Sequence, residues 1–128
     1  MYQKLILIGN LGRDPEMRYS PEGNPMTNFS MATGRKFGDR DETTWFRVTV
    51  FGKQAEACNQ YLRKGSKVLV EGRLYSDSNG NPSVFQRQDG TYGASYVVTA
   101  ETVRFLSPRN EDASSGFGPM DDDEDIPF

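Results

Sequence analysis

The sequence predicts an all-β fold: a five-stranded Greek-key barrel with one helix between the third and fourth strands, followed by a disordered acidic tail. The first supporting observation is that residues 1–106 divide into short segments of alternating apolar and polar residues, separated by turns rich in Gly, Pro, Asn and Asp. The second is that only one segment has apolar residues at helical spacing. The third is that this pattern ends at Ser107, after which Pro, Ser, Gly and Asp dominate.

The first segment, KLILIG, is a short apolar run closed by Gly9, and it predicts a strand. Leu5 and Leu7 face one side of this strand and Ile6 and Ile8 face the other, so both faces need cover. In so small a domain we expect one cover to be the core and the other to be a second subunit. We assign Leu5 and Leu7 to the contact between subunits.

The next segments predict the second and third strands. MRYSPEGNPM is typical of strand, turn and strand, and the alternation in TNFSMAT places Phe29 and Met31 inward and Asn28 and Ser30 outward. GRKFGDRDET is charged and contains glycine, which predicts a hairpin loop. TWFRVTVF then has the strongest strand pattern of the chain.

The remaining segments predict the helix and the last two strands. KQAEACNQYLRKG places Ala55, Cys58 and Leu62 on one helical face, with basic residues in the last turn and Gly65 as the stop. In KVLVEGRLY, Gly72 in mid-strand indicates a bulge or bend of the kind that small barrels need. SDSNGNPS is a turn, and VFQRQDGTYGASYVV predicts a hairpin whose second arm continues to position 106. Five short strands with one helix in this order are the layout of the OB-fold, a barrel that often binds oligonucleotides.

Composition limits the classes of function. The chain has no His and one Cys, so it lacks the commonest general base and zinc ligand and cannot form an internal disulfide. The segment DSNGN fails as a calcium loop because Pro82 and Gln88 stand where Gly and Glu are required. We therefore expect a protein that is not an enzyme and has no metal or cofactor.

Charge is divided unevenly along the chain. Residues 1–110 hold 15 basic and 11 acidic residues, whereas residues 111–128 hold seven acidic residues and no basic one. A basic body with an acidic tail indicates contact with nucleic acid and a separate interaction segment. The single Cys favours a reducing compartment, and the first apolar run is too short for a signal peptide or a membrane span. We expect a cytoplasmic, nucleoid-associated protein with no membrane contact.

The strand TWFRVTVF carries the candidate binding face. Because side chains alternate along a strand, Phe46, Val48 and Val50 share one face and are expected in the core. This leaves Trp45, Arg47, Thr49 and Phe51 together on the outward face. Exposed aromatic rings indicate that something covers them, and single-stranded nucleic acid can do so, with bases stacked on the rings and cations beside the phosphates. The alternative is a subunit interface or a packed hairpin.

Aromatic and basic residues also interleave in the neighbouring loops and around the helix. Each alone is more often an ordinary solvated charge or surface ring, but their combination favours nucleic acid. These further candidates are Phe37, Phe85, Arg35, Lys36, Lys53, Arg63, Lys64, Lys67, Arg73 and Arg87.

In these motifs the chain resembles the bacterial and phage-type single-stranded DNA-binding proteins. ILIGNLGRDPEMRY is similar to the first-strand segment of that family, and MDDDEDIPF to its acidic C-terminal tip. TTWFRVTVFGKQAE followed by YLRKGSKVLVEGRL is similar to its third strand, helix and fourth strand. The resemblance implies a homotetramer of OB-folds that wraps single-stranded DNA and recruits proteins of DNA replication, repair and recombination through the tip.

The resemblance also implies roles for particular residues. The stacking aromatics of the family fall on Trp45, Phe51, Phe37 and Phe85, and its cations on Arg47, Lys53, Arg63 and Lys64. The chain departs from the family pattern in three places. SDSNGNPS is inserted between the last two strands, Phe46 stands where a His is familiar, and the linker before the tip is short.

The resemblance and the composition together divide the chain into an OB-fold domain at 1–106, a disordered linker at 107–119 and an acidic tip at 120–128. The residues expected to bind partner proteins are Asp121, Asp122, Asp123, Glu124, Asp125, Ile126, Pro127 and Phe128. Pro127 restricts the backbone, and Phe128 offers a ring next to the terminal carboxylate, which suits a pocket with a basic rim. A merely solvated tail is the alternative.

Two other functions stay open on the sequence alone. The same fold could bind single-stranded RNA or serve as a primosomal replication protein, which the relative affinities for DNA and RNA would decide. The barrel could also be a protein-interaction domain whose aromatic strip is an interface, and it would then show no salt-sensitive binding of oligonucleotides.

Overall fold

A computed structural model describes residues 1–107, so most of the expected linker and the whole acidic tip lie outside the described residues. The described part is an all-β barrel with one helix. Its elements are β1 (Leu5–Leu11), β2 (Glu16–Tyr19), β3 (Pro25–Phe37), β4 (Arg40–Phe51), α1 (Lys53–Tyr61), β5 (Lys67–Leu74), β6 (Val84–Gln86), β7 (Tyr92–Ala94) and β8 (Tyr96–Phe105).

Five of the strands close into a barrel. They are hydrogen-bonded in the order β1, β5, β8, β4 and β3, and a short pairing of β1 with β3 at Asn10–Ala32 and Leu11–Met31 completes the circle. The contact of β4 with β8 is parallel, and the other barrel contacts are antiparallel. β2 extends the sheet beyond β3, while β6 and β7 pair only with each other. This architecture confirms the OB-fold that the order of strands and helix predicts.

The core fills the barrel from alternating positions of the strands. Met31, Val48 and Val50 are fully buried and Phe29 is nearly so, which confirms the inward faces expected from the sequence pattern. The buried apolar residues are Leu7, Leu11, Phe29, Met31, Val48, Val50, Ala55, Cys58, Leu62, Val68, Val70, Val98 and Ala100.

α1 closes one end of the barrel through Ala55 and Cys58. Its position is fixed by a buried hydrogen bond in which the Thr27 hydroxyl on β3 donates to the Ala55 carbonyl oxygen at 2.7 Å. The helix is shorter than the sequence predicts, because Leu62 adopts an extended backbone and places its side chain in the core. Gly65 is therefore not the helix stop. It lies in a turn with φ of 89° and donates its N–H to the Leu11 carbonyl oxygen.

The hairpin between β3 and β4 is longer than expected. The segment predicted as a charged loop is mostly strand, since β3 continues to Phe37 and β4 begins at Arg40. Only Gly38 and Asp39 form the turn, and the φ of 64° at Gly38 is one that glycine adopts without steric cost. The paired strands therefore carry basic and aromatic residues well beyond the barrel.

Gly72 confirms the predicted irregularity in β5. The register of β5 against β8 shifts between Glu71 and Gly72, as in a β-bulge. A Cβ atom at Gly72 would collide with the carbonyl oxygen of Thr99 on β8. The two backbones approach this closely where the sheet bends to close the barrel.

The two faces of β1 differ from the assignment made on the sequence. Leu7 is buried and Leu5 packs against the core, whereas Ile6 and Ile8 are 57% and 42% exposed. Leu7 is inside the barrel and Leu5 is partly buried against its core, so the assignment of these two residues to a subunit interface is corrected. The apolar side chains that need outside cover on this strand are Ile6 and Ile8.

Candidate nucleic-acid interface

The outward face of β4 presents aromatic and basic side chains in one row. Trp45 and Phe51 are 53% and 50% exposed, and Arg47 between them is exposed as well. Trp45 and Phe51 are six residues apart, so their backbones lie about 20 Å apart along the strand. We call Trp45, Arg47, Thr49 and Phe51 the β4 strip, and its exposure is the one that strand alternation predicts.

A groove of about 370 Å³ runs beside the β4 strip. β2, β3, β4, β8 and the connection that follows β1 all contribute to it. Its lining residues are Arg13, Asp14, Glu16, Arg18, Asn28, Phe29, Ser30, Arg47, Thr49 and Val97. The groove and the strip share Arg47 and Thr49, so they form one continuous surface.

Arg13 and Arg18 are functional candidates that sequence reasoning missed. They lie in the connection after β1 and on β2, and they reach the groove because β2 folds onto β3 with Glu16 opposite Asn28. The only sequence signal is the pair of arginines in GRDPEMRY, which does not reveal its distance from β4. With Arg47, they bring three guanidinium groups to one groove.

Polar contacts order the floor and rim of the groove. The Thr49 hydroxyl donates to the Asn28 side-chain oxygen at 2.8 Å, so two neighbouring strands present a fixed amide. Arg18 lies 3.7 Å from Glu16, and both side chains are about two-thirds exposed, so this pair is weak. The groove is therefore basic on balance, with three arginines against two carboxylates.

Two cations near α1, Lys53 and Lys64, lie close in sequence or in space to the β4 strip and the groove. Lys53 is the first residue of α1 and follows Phe51 by two positions. The backbone N–H of Lys64 donates to the Asp14 carboxylate at 2.8 Å, which brings Lys64 to the edge of the groove.

Two further cations near α1 are engaged in local structure. The Arg63 guanidinium donates to the carbonyl oxygens of Gln60 and Leu62, at the end of the helix. Lys67 is half-buried at the start of β5, and its backbone N–H donates to the Ser107 hydroxyl.

The long β3–β4 hairpin carries a second aromatic position. The Arg35 guanidinium lies over the Phe37 ring, 5.6 Å from its centre, and Phe37 is exposed. Side chains alternate along a strand, so Arg35 and Phe37 project from one face of the hairpin and Lys36, which lies between them in sequence, projects from the other. Lys36 shares its face with the β4 strip, so the hairpin offers charge on both sides.

Arg73 belongs to a different surface. Its Nε atom lies 3.8 Å from Glu101, and Glu101 also lies 3.7 Å from Lys4. Both side chains are about half exposed or more, so this pair is weak, like that of Arg18 with Glu16. Arg73 lies on β5, which β8 separates from β4 in the barrel, and it does not line the groove. The structure therefore does not place Arg73 with the β4 strip.

Phe85 and Arg87 lie on the separate β6–β7 hairpin. The Arg87 guanidinium lies over the Phe85 ring at 5.4 Å and donates to the Tyr92 carbonyl oxygen. Gly93 faces Phe85 in register, and a Cβ atom there would lie 2.8 Å from Cζ of Phe85. The structure thus builds an ordered aromatic–basic pair here, but on a hairpin that does not join the barrel sheet.

The groups with shifted pKa values lie away from this surface. Burial raises the pKa of the Cys58 thiol to about 11, so this core residue is protonated at neutral pH. Hydrogen bonds from Thr91 lower the pKa of Asp89 in the turn between β6 and β7.

The segment DSNGN forms a local turn around Asp77. The Asp77 carboxylate accepts hydrogen bonds from the backbone N–H groups of Asn79 and Asn81, as in an Asx turn. Among residues 1–107, no group of His, Cys, Asp and Glu side chains is arranged to hold a metal ion.

Exposed aromatic rings on either side of an exposed arginine along one strand of an OB-fold, beside an arginine-lined groove, are the arrangement of an oligonucleotide-binding barrel. Comparison with known proteins gives the family within that class. Residues 2–106 match the single-strand binding protein family. The chain therefore belongs to this family.

Curated relatives cover most of the chain. A single-stranded DNA-binding protein of Neisseria meningitidis serogroup A is 40% identical over 124 residues, which are 93% of this chain and 67% of the relative. The protein of the same name from Wolinella succinogenes is 41% identical over 121 residues, covering 91% of this chain and 70% of the relative. That of Helicobacter hepaticus is 40% identical over 114 residues, covering 85% and 64%.

In the part of the chain that the structure describes, no helix has the length and apolarity needed to cross a bilayer.

Proposed function

We propose that this protein binds single-stranded DNA without sequence preference and carries out no catalysis. The observation that carries the proposal is the β4 strip, in which Trp45 and Phe51 are half exposed next to an arginine-lined groove. Bases stack on aromatic rings regardless of their identity, because every base has a π-face. Arginines beside the rings neutralise phosphates, which are equally independent of sequence.

The shape of the surface favours a single strand over a duplex. Trp45 and Phe51 offer ring faces, and only unpaired bases can be splayed out to stack on them. The names of the relatives, all single-stranded DNA-binding proteins, support DNA as the ligand.

The single Trp of the chain allows a direct test. Titration with an unstructured oligothymidylate should quench the fluorescence of Trp45 strongly, and added salt should reverse the quenching. The same titration with an oligouridylate of equal length decides between DNA and RNA. Absence of salt-sensitive binding to either would refute the proposal and favour a protein-interaction barrel.

The protein acts as a homotetramer in this proposal. β1 pairs with β5 through one edge, and in residues 1–107 the other edge has no strand partner from Leu5 to Ile8. Ile6 and Ile8 are exposed on the outward face of the same strand. An unpaired edge with apolar neighbours can pair with its counterpart in a second copy, and such a contact is symmetric.

In this proposal the protein protects exposed strands at the nucleoid, in the cytoplasm. Its acidic tip recruits proteins of DNA replication, repair and recombination to those strands. This part of the proposal rests on the sequence MDDDEDIPF, in which five acidic residues precede Ile126, Pro127 and Phe128. The acids steer the tip to basic partners, and the ring of Phe128 fills an apolar pocket.

A pull-down from cell extract tests the tip. Deletion of Phe128 should abolish recovery of partner proteins and leave the affinity for oligothymidylate unchanged. Deletion of residues 121–128 should also leave that affinity unchanged, or slightly raise it at low salt, because the acids repel phosphates. Equal recovery with and without Phe128 would mean that the ending is only a solvated tail.

A further inference from the structure

The indole of Trp45 extends from β4 across β3 to the residue that follows β1. A Cβ atom placed on Gly12 would lie 2.5 Å from Cζ3 and 2.7 Å from Cη2 of Trp45. Between them, β3 presents the small residues Ala32, paired with Trp45, and Ser30, paired with Arg47. The indole therefore reaches across β3, and the Cζ3–Cη2 edge of its six-membered ring lies next to Gly12.

Other glycines of the barrel have different reasons to be glycine. Gly65 and Gly38 adopt positive φ values, and Gly72 lies against the backbone of a neighbouring strand. Gly12 has neither property, because its φ is outside the left-handed region and its close neighbour is an aromatic ring. The absence of a side chain at Gly12 is thus explained by Trp45 and not by the local backbone.

The backbone of Gly12, beside the edge of the indole, is held in place by hydrogen bonds. The N–H of Gly12 donates to the Ser30 carbonyl oxygen at 3.0 Å, so Gly12 is tied to β3. The preceding residue, Leu11, exchanges hydrogen bonds of 2.9 Å with Gly65 and Ser66 and is buried in the core. Gly12 therefore cannot move aside for a larger side chain without breaking these contacts.

We propose that Gly12 is a positioning residue for base stacking on Trp45. This inference rests on the proposed binding of single-stranded DNA. Because position 12 has no side chain, the edge of the six-membered ring can lie beside it, and the indole keeps the orientation in which a base can stack on an exposed face. A side chain at position 12 would occupy the space of Cζ3 and Cη2 and turn the indole away from that orientation.

The first test uses Gly12→Ala and reads Trp45 without DNA. The variant should show stronger quenching of Trp45 fluorescence by acrylamide and a changed near-ultraviolet circular dichroism band, because the indole leaves the protein surface. Gly34→Ala is the matched control. Gly34 also lacks a positive φ, and a Cβ there meets no atom closer than 3.8 Å, so both signals should stay as in the unmodified chain.

The second test measures affinity for oligothymidylate. Gly12→Ala should bind about 5- to 150-fold more weakly than the unmodified chain, the range that corresponds to the loss of one stacked base. Gly34→Ala should bind like the unmodified chain. Thermal unfolding of both variants, followed by far-ultraviolet circular dichroism, verifies that the barrel is intact.

A double-mutant cycle separates positioning from a purely structural role. Trp45→Ala removes the ring, so adding Gly12→Ala to that variant should cause no further loss of affinity. In the same Trp45→Ala background, Gly12→Ala should lower the free energy of unfolding no more than Gly34→Ala does. This readout does not require that Gly12→Ala alone is well folded.

Three results would overturn the inference. They are unchanged acrylamide quenching in Gly12→Ala, undiminished affinity of that variant, and an equal loss of affinity from Gly12→Ala with and without Trp45. Failure of the unmodified chain to bind oligothymidylate is a different outcome, which refutes the proposed function and this role together.

Discussion

Replacement of Arg47 by Gln should weaken the binding of single-stranded DNA and reduce its dependence on salt. Arg47 is exposed at the centre of the β4 strip, lines the groove and has no carboxylate within 4.0 Å among residues 1–107. Its charge is therefore available to a phosphate. Gln keeps much of the length and polarity of the side chain and removes only the charge.

The magnitude follows from the number of cations expected at this surface. They are Arg13, Arg18 and Arg47, which line the groove, Lys64 at its edge, and Lys53, which follows Phe51 by two residues. Each phosphate contact on a single strand contributes about 0.7 to the slope of log K against log salt, so five contacts predict a slope of about −3.5. Loss of one contact should bring the slope to about −2.8, and the affinity ratio of unmodified chain to variant should shrink about 2.6-fold between 50 and 200 mM salt.

The assay is the quenching of Trp45 fluorescence by oligothymidylate at a series of salt concentrations. Arg73→Gln is the matched comparison, because it removes the same charge from a residue on β5, which β8 separates from β4 in the barrel. We expect its slope to stay close to that of the unmodified chain. Equal changes of slope in the two variants would refute the reasoning that the outward face of β4, and not the total charge, binds the phosphates.

Three further predictions concern other parts of the molecule. Ile8→Lys should break the homotetramer by placing a charge on the outward face of β1, and light scattering that shows the same mass for variant and unmodified chain would contradict this. Thr27→Val should lower the free energy of unfolding by about 1 kcal/mol and the melting temperature by about 4–8 °C, because it removes the buried hydrogen bond to Ala55. Since burial raises the pKa of Cys58 to about 11 from 9.0, the neutral thiol stabilises the fold below pH 9, and this contribution is lost as pH rises toward 11. Denaturant titrations should show that Cys58→Ala loses less stability over that range than the unmodified chain does.

Alternation along the strands was sufficient to predict much of the fold and the centre of the candidate site. In β4 it placed Val48 and Val50 inside and Trp45 and Phe51 outside, as the structure has them. This works because the side chains of a strand have a period of two, and a barrel buries only one of its faces. The bulge at Gly72 followed equally from a local signal.

Where both faces of a strand are apolar, the same pattern is ambiguous. In β1, Leu5 and Leu7 could not be distinguished from Ile6 and Ile8, and only the closure of the barrel decided which pair is inside. The end of α1 was similarly decided by the core, because the burial of Leu62 outweighed the helix-stop signal of Gly65.

The sequence by itself determined the class of fold and the outward row of Trp45, Arg47 and Phe51, since both depend on local periodicity. Only the tertiary structure brought Arg13 and Arg18 beside that row, placed Gly12 next to the edge of the indole and paired Arg73 with Glu101. These contacts join residues that are 28 or more positions apart. They depend on strand register and barrel closure, which are set by the packing of the whole core and leave no local pattern in the chain.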